Sequence, residues 1–265
     1  MKRKSRVNRV NAKVNGKPRT KAAKPGILVT NDDGDNEGLR ILLDVAKRFG
    51  NAYAIVPNRQ RSAVSGALTL HKPIRLHRIG GNVHSINGTP SDCVLFALHS
   101  GEFQKPDLVL SGINMGDNTG MASVLGSGTL GACWQAVLEG VPAIAFSIRM
   151  RRKEWHDGKK WKYGNEVAAR TGSLIRGLLP CLERNKFFNV NLPGNPAKAK
   201  ITITNRFQKE RYAARVTKRM DPDGRAYYWI SGGARKIEKG TDTYEVLKRN
   251  RIVISGISLS IFGIK

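Results

Sequence analysis

Two adjacent carboxylates, Asp32 and Asp33, come directly after the short apolar run GILVT near the start of the chain. Neighbouring carboxylates repel each other unless a cation or a shared proton relieves the repulsion. A hard divalent cation is the simplest relief, because carboxylate oxygens are its preferred ligands. The alternative is a structural role, since Asn31, Asp32 and Asp33 are also residue types that form turns and cap helices. The pair therefore indicates a metal site only together with further ligands.

Two later polar segments, each of which also follows an apolar run, offer such groups. The segment NRQRSAVSG follows YAIVP. In it, the Ser62 hydroxyl is a candidate metal ligand, and Arg59 and Arg61 are candidate phosphate ligands. The segment SGINMGDNTG after DLVL contains the amide oxygens of Asn114 and Asn118. Each segment alone is also typical of a basic surface loop or a Gly/Asn turn. Together the three clusters supply oxygen ligands, which favours Mg²⁺ or Mn²⁺ over zinc or copper.

The string GSGTLG at residues 126–131 predicts a helix start that binds phosphate. Free backbone amides near Ser127, Gly128 and Thr129, together with the helix dipole, favour an anion there, and capping without a ligand is the alternative. The string also matches the GxGxxG pattern of dinucleotide-binding folds. However, no clear strand precedes it, and MRRKE supplies mostly cations where that fingerprint expects an acid about 20 residues later. A dinucleotide-binding oxidoreductase is therefore the weaker alternative.

Alternating strand and helix patterns predict the fold that positions these clusters. Short β-branched runs alternate with helical spacing of apolar residues from Gly26 to Pro193, which predicts an α/β fold with a Rossmann-like, doubly wound, mostly parallel sheet. Ligands bind beyond the carboxyl ends of the strands in such sheets, so we expect the three polar clusters to meet there. Residues 194–265 carry β-like, antiparallel patterns, and we predict that they form a β-rich C-terminal extension of a domain over residues 25–265.

The charge of the chain leaves a second class of function open. Lys and Arg number 46 and Asp and Glu number 20, which gives a formal net charge of +26. Residues 1–24 contain ten of these cations and no acid, and we predict a disordered or loosely held tail. A charge of this size attracts any polyanion. A basic nucleic-acid-binding protein on an α/β scaffold is therefore the alternative, although the acidic cluster would repel a phosphate backbone unless a metal were present.

Cysteine content and hydropathy bear on the compartment. The three cysteines, Cys93, Cys133 and Cys181, are odd in number and far apart, which supports neither a disulfide framework nor a thiolate zinc site. No stretch approaches the roughly 20 apolar residues of a membrane span, and the first residues lack the apolar core of a secretory signal. We therefore expect a cytoplasmic protein without membrane contact.

The chain contains, in order, the motifs ILVTNDDG, VPNRQRSAVSGALTL, INGTPSDCV, DLVLSGINMGDN, SGTLGA, FNVNLP and GTDTYEVL. They resemble the successive signature blocks of the SurE family, from about Gly26 to Leu259. The resemblance implies a divalent-metal-dependent phosphatase that hydrolyses nucleoside monophosphates, a 5′- and in some cases 3′-nucleotidase. It also implies one Mg²⁺ or Mn²⁺ per subunit, and a homodimer or homotetramer that uses an exchanged C-terminal extension. The basic tail is additional to the family pattern and offers a contact for nucleic acid.

Carried over by position, the family's site falls on residues that their chemistry already selects. The implied metal ligands are Asp32, Asp33, Ser62 and Asn114, the phosphate-binding turn is Ser127, Gly128 and Thr129, and the catalytic residues are Asp32 and Asn118. In the implied mechanism Asp32 or Asp33 orients or deprotonates the attacking water, while Asn118 and the turn stabilise the phosphoryl oxygens. The chain departs from the family pattern at Asn58, where Asp is common, and at Ala63, where Gly is common.

Overall fold

The computed structural model describes residues 24–150 and 160–263, and these contain eleven strands. Their bounds are Gly26–Thr30 (β1), Asn51–Pro57 (β2), Leu76–Gly80 (β3), Val83–Ile86 (β4), Leu108–Met115 (β5), Ala143–Ile148 (β6), Lys186–Leu192 (β7), Ile201–Ile203 (β8), Tyr212–Met220 (β9), Ala226–Ala234 (β10) and Ile252–Ser258 (β11). Nine of them form one sheet in the order β3-β4-β2-β1-β5-β6-β7-β11-β8, and β9 pairs only with β10 in a separate hairpin.

Helices cover both faces of the large sheet. Their bounds are Glu37–Ala46 (α1), Pro90–His99 (α2), Met121–Gly126 (α3), Gly128–Leu138 (α4), Gly164–Leu178 (α5) and Asp242–Leu247 (α6), with 3₁₀ turns at Leu179–Cys181 and Leu259–Phe262. Side chains alternate along a strand, so Ile27 and Val29 of β1 pack with α1 and α5, while Leu28 packs with α2 and α4. This two-sided core requires strands that are apolar on both faces, as β1 is.

The central strands run parallel and bring the sequence clusters to one edge. β1 pairs in parallel with β2 and with β5, and β6 continues the parallel series to β7. The prediction of an α/β fold with a doubly wound, mostly parallel sheet is therefore confirmed. Because β2, β1 and β5 are neighbours, the loops that follow them leave the sheet side by side.

The structure differs from the expected pattern in three respects, two of them in the C-terminal part. β11 joins the large sheet antiparallel to β7, as expected, but β8 pairs with β11 in parallel rather than antiparallel. Strand β9 and helix α3 were not anticipated, because the cations Arg215, Lys218 and Arg219 interrupt the apolar pattern of β9 and because α3 has only six residues. A parallel β8–β11 pair is possible because the hairpin and α6 form the long crossover that such a pair needs.

The remaining expectations fall partly outside the described residues. The predicted basic tail lies there except for Lys24. Within residues 24–150 and 160–263, no helix has both the length and the apolar character needed to cross a bilayer. Cys93 and Cys133 are buried, Cys181 is exposed, and all three are unpaired.

Candidate active site

A cavity of about 540 Å³ opens beyond the carboxyl ends of β1, β2 and β5. It collects six of the predicted site residues in one place: Asp32, Asp33, Ser62, Asn114, Asn118 and Ser127. The other lining residues are Gln60, Ala63, Met115, Gly116, Asp117, Ala122, Ser123 and Gly126. Four segments that are distant in the sequence therefore present polar groups to a common space, and three of them lie at the carboxyl ends of neighbouring strands, as a doubly wound sheet provides.

The loop after β1 is held in shape by Asn31, which is fully buried. The Asn31 side chain accepts a hydrogen bond from the Gly34 amide at 2.9 Å and donates one to the Gly34 carbonyl at 2.7 Å. The loop therefore spans Asp32 and Asp33 in a closed turn. Asp32 is only 4% exposed and accepts a hydrogen bond from Thr129 Oγ1 at 2.7 Å. Asp33 accepts one from Gln60 Nε2 at 3.2 Å.

Burial makes both carboxyl groups harder to ionise than free aspartates. Burial, and then the charge of Asp33, raise the pKa of Asp32 to about 7, although the hydrogen bonds from Thr129 oppose the shift. Burial also raises the pKa of Asp33, against the hydrogen bond from Gln60. Two such neighbours cannot both carry a negative charge at low cost unless a cation lies beside them. A divalent ion fits this environment.

The other oxygen groups of the cavity complete a hard ligand set. Asn114 donates its side-chain amide to the Gly116 carbonyl at 2.7 Å, which steadies the side chain and keeps its Oδ1 as the atom that can act as a ligand. Ser62 is exposed at the cavity wall. No group of three or more His, Cys, Asp or Glu side chains suited to a metal occurs in the described part of the chain. The residues present therefore fit Mg²⁺ or Mn²⁺, which accept carboxylate, amide and hydroxyl oxygens, better than a soft metal.

The start of α4 packs directly against the carboxylate pair. A Cβ atom added at Gly128 would lie 2.9 Å from the Cβ of Asp32, so glycine permits this close approach. Ser127 caps the helix, since its Oγ accepts from the Leu130 amide at 3.4 Å. The Ser127 amide itself donates to the Ser123 carbonyl at 2.9 Å. The Ser127 amide, which the sequence analysis counted among the free donors, is thus already bonded.

Helix α3 precedes the GSGTLG string, with Gly126 as its last residue. The dinucleotide-binding fingerprint requires a strand that runs into the glycine turn. Here the turn links two helices, so the string does not form that fingerprint, and the oxidoreductase alternative loses its support.

Arg59 and Arg61, which the sequence analysis offered as phosphate ligands, are not in the cavity wall. Arg61 donates from Nε to the Gly88 carbonyl at 3.2 Å, and Arg59 is exposed. The Arg61 guanidinium group is therefore bonded outside the cavity wall, and Arg59 does not line the cavity.

A family model described as Survival protein SurE matches residues 27–214. The chain belongs to the SurE family. A 5′-nucleotidase SurE of Thermofilum pendens is 40% identical to it over 242 residues, which cover 88% of the chain and 90% of that protein. A 5′-nucleotidase SurE of Methanothermobacter thermautotrophicus is 38% identical over 217 residues, with 78% and 82% covered. The crystal structure of a SurE protein from Aquifex aeolicus superposes with a TM-score of 0.74 at 31% identity, and covers 89% of this chain and 94% of that one.

This SurE chain holds Asn118 with a buried polar network that the sequence analysis missed. The Asn118 amide donates to Asn191 Oδ1 at 2.7 Å, and its carbonyl accepts from Asn189 Nδ2 at 2.9 Å. The Asn118 side chain donates from Nδ2 to Ser147 Oγ at 2.9 Å. Asn189 and Asn191 alternate with apolar residues in FFNVNLP, and two asparagines on one face of an apolar strand were the available signal.

The C-terminal region is tied to the same loop through Asp242. This carboxylate is 1% exposed and accepts hydrogen bonds from the amides of Gly120 at 2.6 Å and Gln208 at 3.0 Å. At the cavity wall, Asp117 forms an ion pair with Arg211, which directly precedes β9. The GTDTYEVL block of this SurE chain therefore fixes the loop that carries Asn118, although it is more than a hundred residues away in sequence.

Proposed function

We propose that this protein is a divalent-metal-dependent phosphomonoesterase that hydrolyses nucleoside monophosphates to nucleoside and phosphate. The observation that carries the proposal is the buried Asp32–Asp33 pair with raised pKa values, beside amide and hydroxyl oxygens at the carboxyl edge of the sheet. The relatives named 5′-nucleotidase SurE support this activity, and 5′-nucleotides are therefore the first substrates to test. Hydrolysis of 3′-nucleotides is a second activity to test.

One Mg²⁺ or Mn²⁺ per subunit would be held by oxygen atoms of Asp32, Asp33, Ser62 and Asn114. When bound, such an ion supplies positive charge that offsets the charge of the phosphate and lowers the pKa of a water ligand. Adjacent carboxylates with raised pKa values, together with neutral oxygen donors, are the observation that supports this ligand set.

Asp32 is our candidate for the group that orients the attacking water and accepts its proton. The Asp32 carboxylate lines the cavity, where it can accept a proton from a water held there. Thr129 Oγ1 donates to Asp32 Oδ1 and so sets the orientation of the carboxylate. Proton transfer and orientation both depend on the close packing of α4 against this residue.

Phosphate binding is assigned to Asn118 and to the Ser127–Thr129 turn. The network around Asn118 pre-orients its side chain, which reduces the reorganisation needed in the transition state. Ser127 Oγ accepts from Leu130, so its hydroxyl hydrogen remains available to donate to a phosphoryl oxygen. The amide of Gly128 lies in the first turn of α4, where helix amides favour an anion.

We also propose that residues 194–265 serve in self-association to a homodimer or homotetramer. Directly opposed residues of the hairpin, such as Val216 and Ile230, share a face of the ribbon. The face that contains them, which we call the apolar face, exposes the large side chains of Tyr212, Val216, Met220, Tyr228 and Ile230. Contiguous apolar surface of this kind is typical of protein–protein contacts. Light scattering should give a multiple of the subunit mass for the parent and a smaller mass for Ile230→Ser; a monomeric parent would contradict the proposal.

We propose that the protein is cytoplasmic, because three unpaired cysteines are typical of a reducing compartment. Fractionation of cells that express a tagged chain, with cytoplasmic and membrane markers, tests this assignment.

A matched pair of variants tests the function. Asp33→Ala should lose bound Mn²⁺ and phosphate release together, whereas Asp35→Ala removes a nearby acid that is paired with Arg40 and should change neither. Phosphate release is measured from a panel of 5′- and 3′-mononucleotides with Mg²⁺, Mn²⁺ or chelator. The proposal is wrong if Asp33→Ala hydrolyses the panel at the parent rate with metal content unchanged.

A further inference from the structure

The β9–β10 hairpin has a second face that self-association through the apolar face does not use. Every residue of β10 is exposed, and only Thr217 of β9 is partly covered. An isolated two-stranded hairpin is marginally stable in water, so a ribbon with this much exposed surface is expected to meet partners. The two faces differ in chemistry and are expected to differ in partner.

The strand pairing defines the composition of the second face. Thr217 lies opposite Trp229 and Arg219 lies opposite Tyr227, while Arg215 lies opposite Ser231. Opposed residues share a face, and the alternation along each strand separates them from the apolar face. We call this set the basic–aromatic face; its members are Arg215, Thr217, Arg219, Tyr227, Trp229 and Ser231.

The arginines of the basic–aromatic face form no ion pair with the residues that the structure describes, and its aromatic rings are exposed. Neither Arg215 nor Arg219 forms an ion pair with any residue that the structure describes, and the face contains no acid. Trp229 is 60% exposed and Tyr227 is 40% exposed. Trp229 lies opposite Thr217 and is therefore the diagonal neighbour of both arginines, which places cations and rings on the same face of the ribbon.

We propose that the basic–aromatic face binds single-stranded nucleic acid. Proteins of that binding class combine cations that follow the phosphate backbone with rings on which the bases stack. Tyr227 and Trp229 are two residues apart on one strand, about 6.8 Å, so the two rings can receive two bases of an extended strand. Every base has a π-face, and the binding therefore tolerates any sequence. The net charge of +26, which a mononucleotide site does not require, favours the association.

Charge distinguishes this occupant from a second copy of the chain. A symmetric contact through the basic–aromatic face would bring Arg215 and Arg219 of both subunits into one interface. Like charges within one interface repel, and the face offers no acid to relieve them. A polyanion, in contrast, is complementary to the face.

Fluorescence anisotropy with a labelled oligo(U) RNA of about 12 nucleotides tests the proposal on the full-length chain. Chelator is present so that no metal-dependent hydrolysis consumes the probe, and the salt concentration is varied from about 50 to 200 mM. All variants retain residues 1–24, so any contribution of that segment is common to them.

Trp229→Ala should weaken binding roughly 5- to 150-fold, and Trp229→Phe should restore most of it, because stacking needs a ring. Arg215→Gln with Arg219→Gln should lower the slope of log affinity against log salt by about 1.4, as expected for two lost phosphate contacts. Lys218→Gln and Tyr228→Ala place the same kinds of change on the apolar face and should have little effect on RNA binding. Phosphate release from 5′-AMP should stay at the parent rate in Trp229→Ala.

Three outcomes would overturn the proposal. RNA affinity within twofold of the parent in Trp229→Ala would exclude stacking. A loss of RNA affinity in Lys218→Gln as large, per charge removed, as in the arginine double variant would show that only the overall charge matters. A lower oligomer mass in Arg215→Gln with Arg219→Gln, at unchanged RNA affinity, would assign the face to a subunit contact instead. None of these outcomes bears on the mononucleotide site.

Discussion

Gly128→Ala places a methyl group between α4 and the carboxylate pair. The new Cβ would lie 2.9 Å from Asp32 Cβ, and 3.1 Å from both the Arg61 carbonyl oxygen and Val64 Cγ2. Carbon atoms pack at about 3.5 to 4.0 Å, so Asp32 or the helix start must move by roughly 0.6 to 1 Å. A displacement of about 1 Å in a catalytic arrangement can cost on the order of 100-fold in rate. We therefore expect kcat/KM for 5′-AMP to fall by about 10- to 100-fold.

The fold should survive this change. Gly128 does not have a left-handed φ, and alanine is favoured over glycine in a helix by up to about 1 kcal/mol. Gly177→Ala is the matched control, because a Cβ at this helical position meets nothing within 4 Å. Phosphate release, Mn²⁺ titration calorimetry and thermal melts are compared for both variants. Parent values of kcat/KM and Mn²⁺ affinity in Gly128→Ala would refute the reasoning that this contact sets the position of Asp32.

Three further predictions concern the same site. Asn191→Leu leaves the buried amide of Asn118 without its acceptor, and should lower the free energy of unfolding in urea by about 1 to 3 kcal/mol as well as kcat; an unchanged urea midpoint would show that the network is not needed. Asp242→Asn removes the charge that accepts from Gly120, and a loss of about 1.5 to 3 kcal/mol in the same assay is expected, whereas parent stability would contradict it. Mn²⁺ affinity should be roughly 50-fold weaker at pH 5 than at pH 7, because the proton held by Asp32, with a pKa of about 7, must leave before metal binds; an affinity that does not change with pH would count against the raised pKa.

Local chemistry made much of the candidate site predictable. Asp32 and Asp33 follow closely on a buried strand, Ser62 lies in the loop after β2, and Asn114 is the second-to-last residue of β5. Parallel strands of a doubly wound sheet end at one edge, so residues near strand ends are placed by the strand pattern alone. The turn at Ser127–Thr129 was likewise visible, because helix starts have a sequence signature.

Other parts of the site depend on contacts that no local pattern encodes. Arg61 does not line the cavity, and its guanidinium group donates to the Gly88 carbonyl instead. From the sequence, Ser127 appeared to offer a free backbone amide. In the structure this amide donates to the Ser123 carbonyl of α3, a helix of only six residues. In both cases a backbone carbonyl accepts the hydrogen bond of a group, the Arg61 side chain or the Ser127 amide, that the sequence suggested was free to bind phosphate.

The sequence by itself determined the layered α/β fold and the oxygen groups at the strand ends, because apolar periodicity and the order of strands act over short stretches of chain. Only the tertiary structure decided how Asn118 is held and how the C-terminal region reaches the site, because Asn191 and Asp242 are 73 and 122 residues away from their partners. It also divided the hairpin into an apolar and a basic–aromatic face, since that division depends on the register between two strands. Hydrogen bonds across such distances form once the strands are paired, and single-sequence patterns carry no record of them.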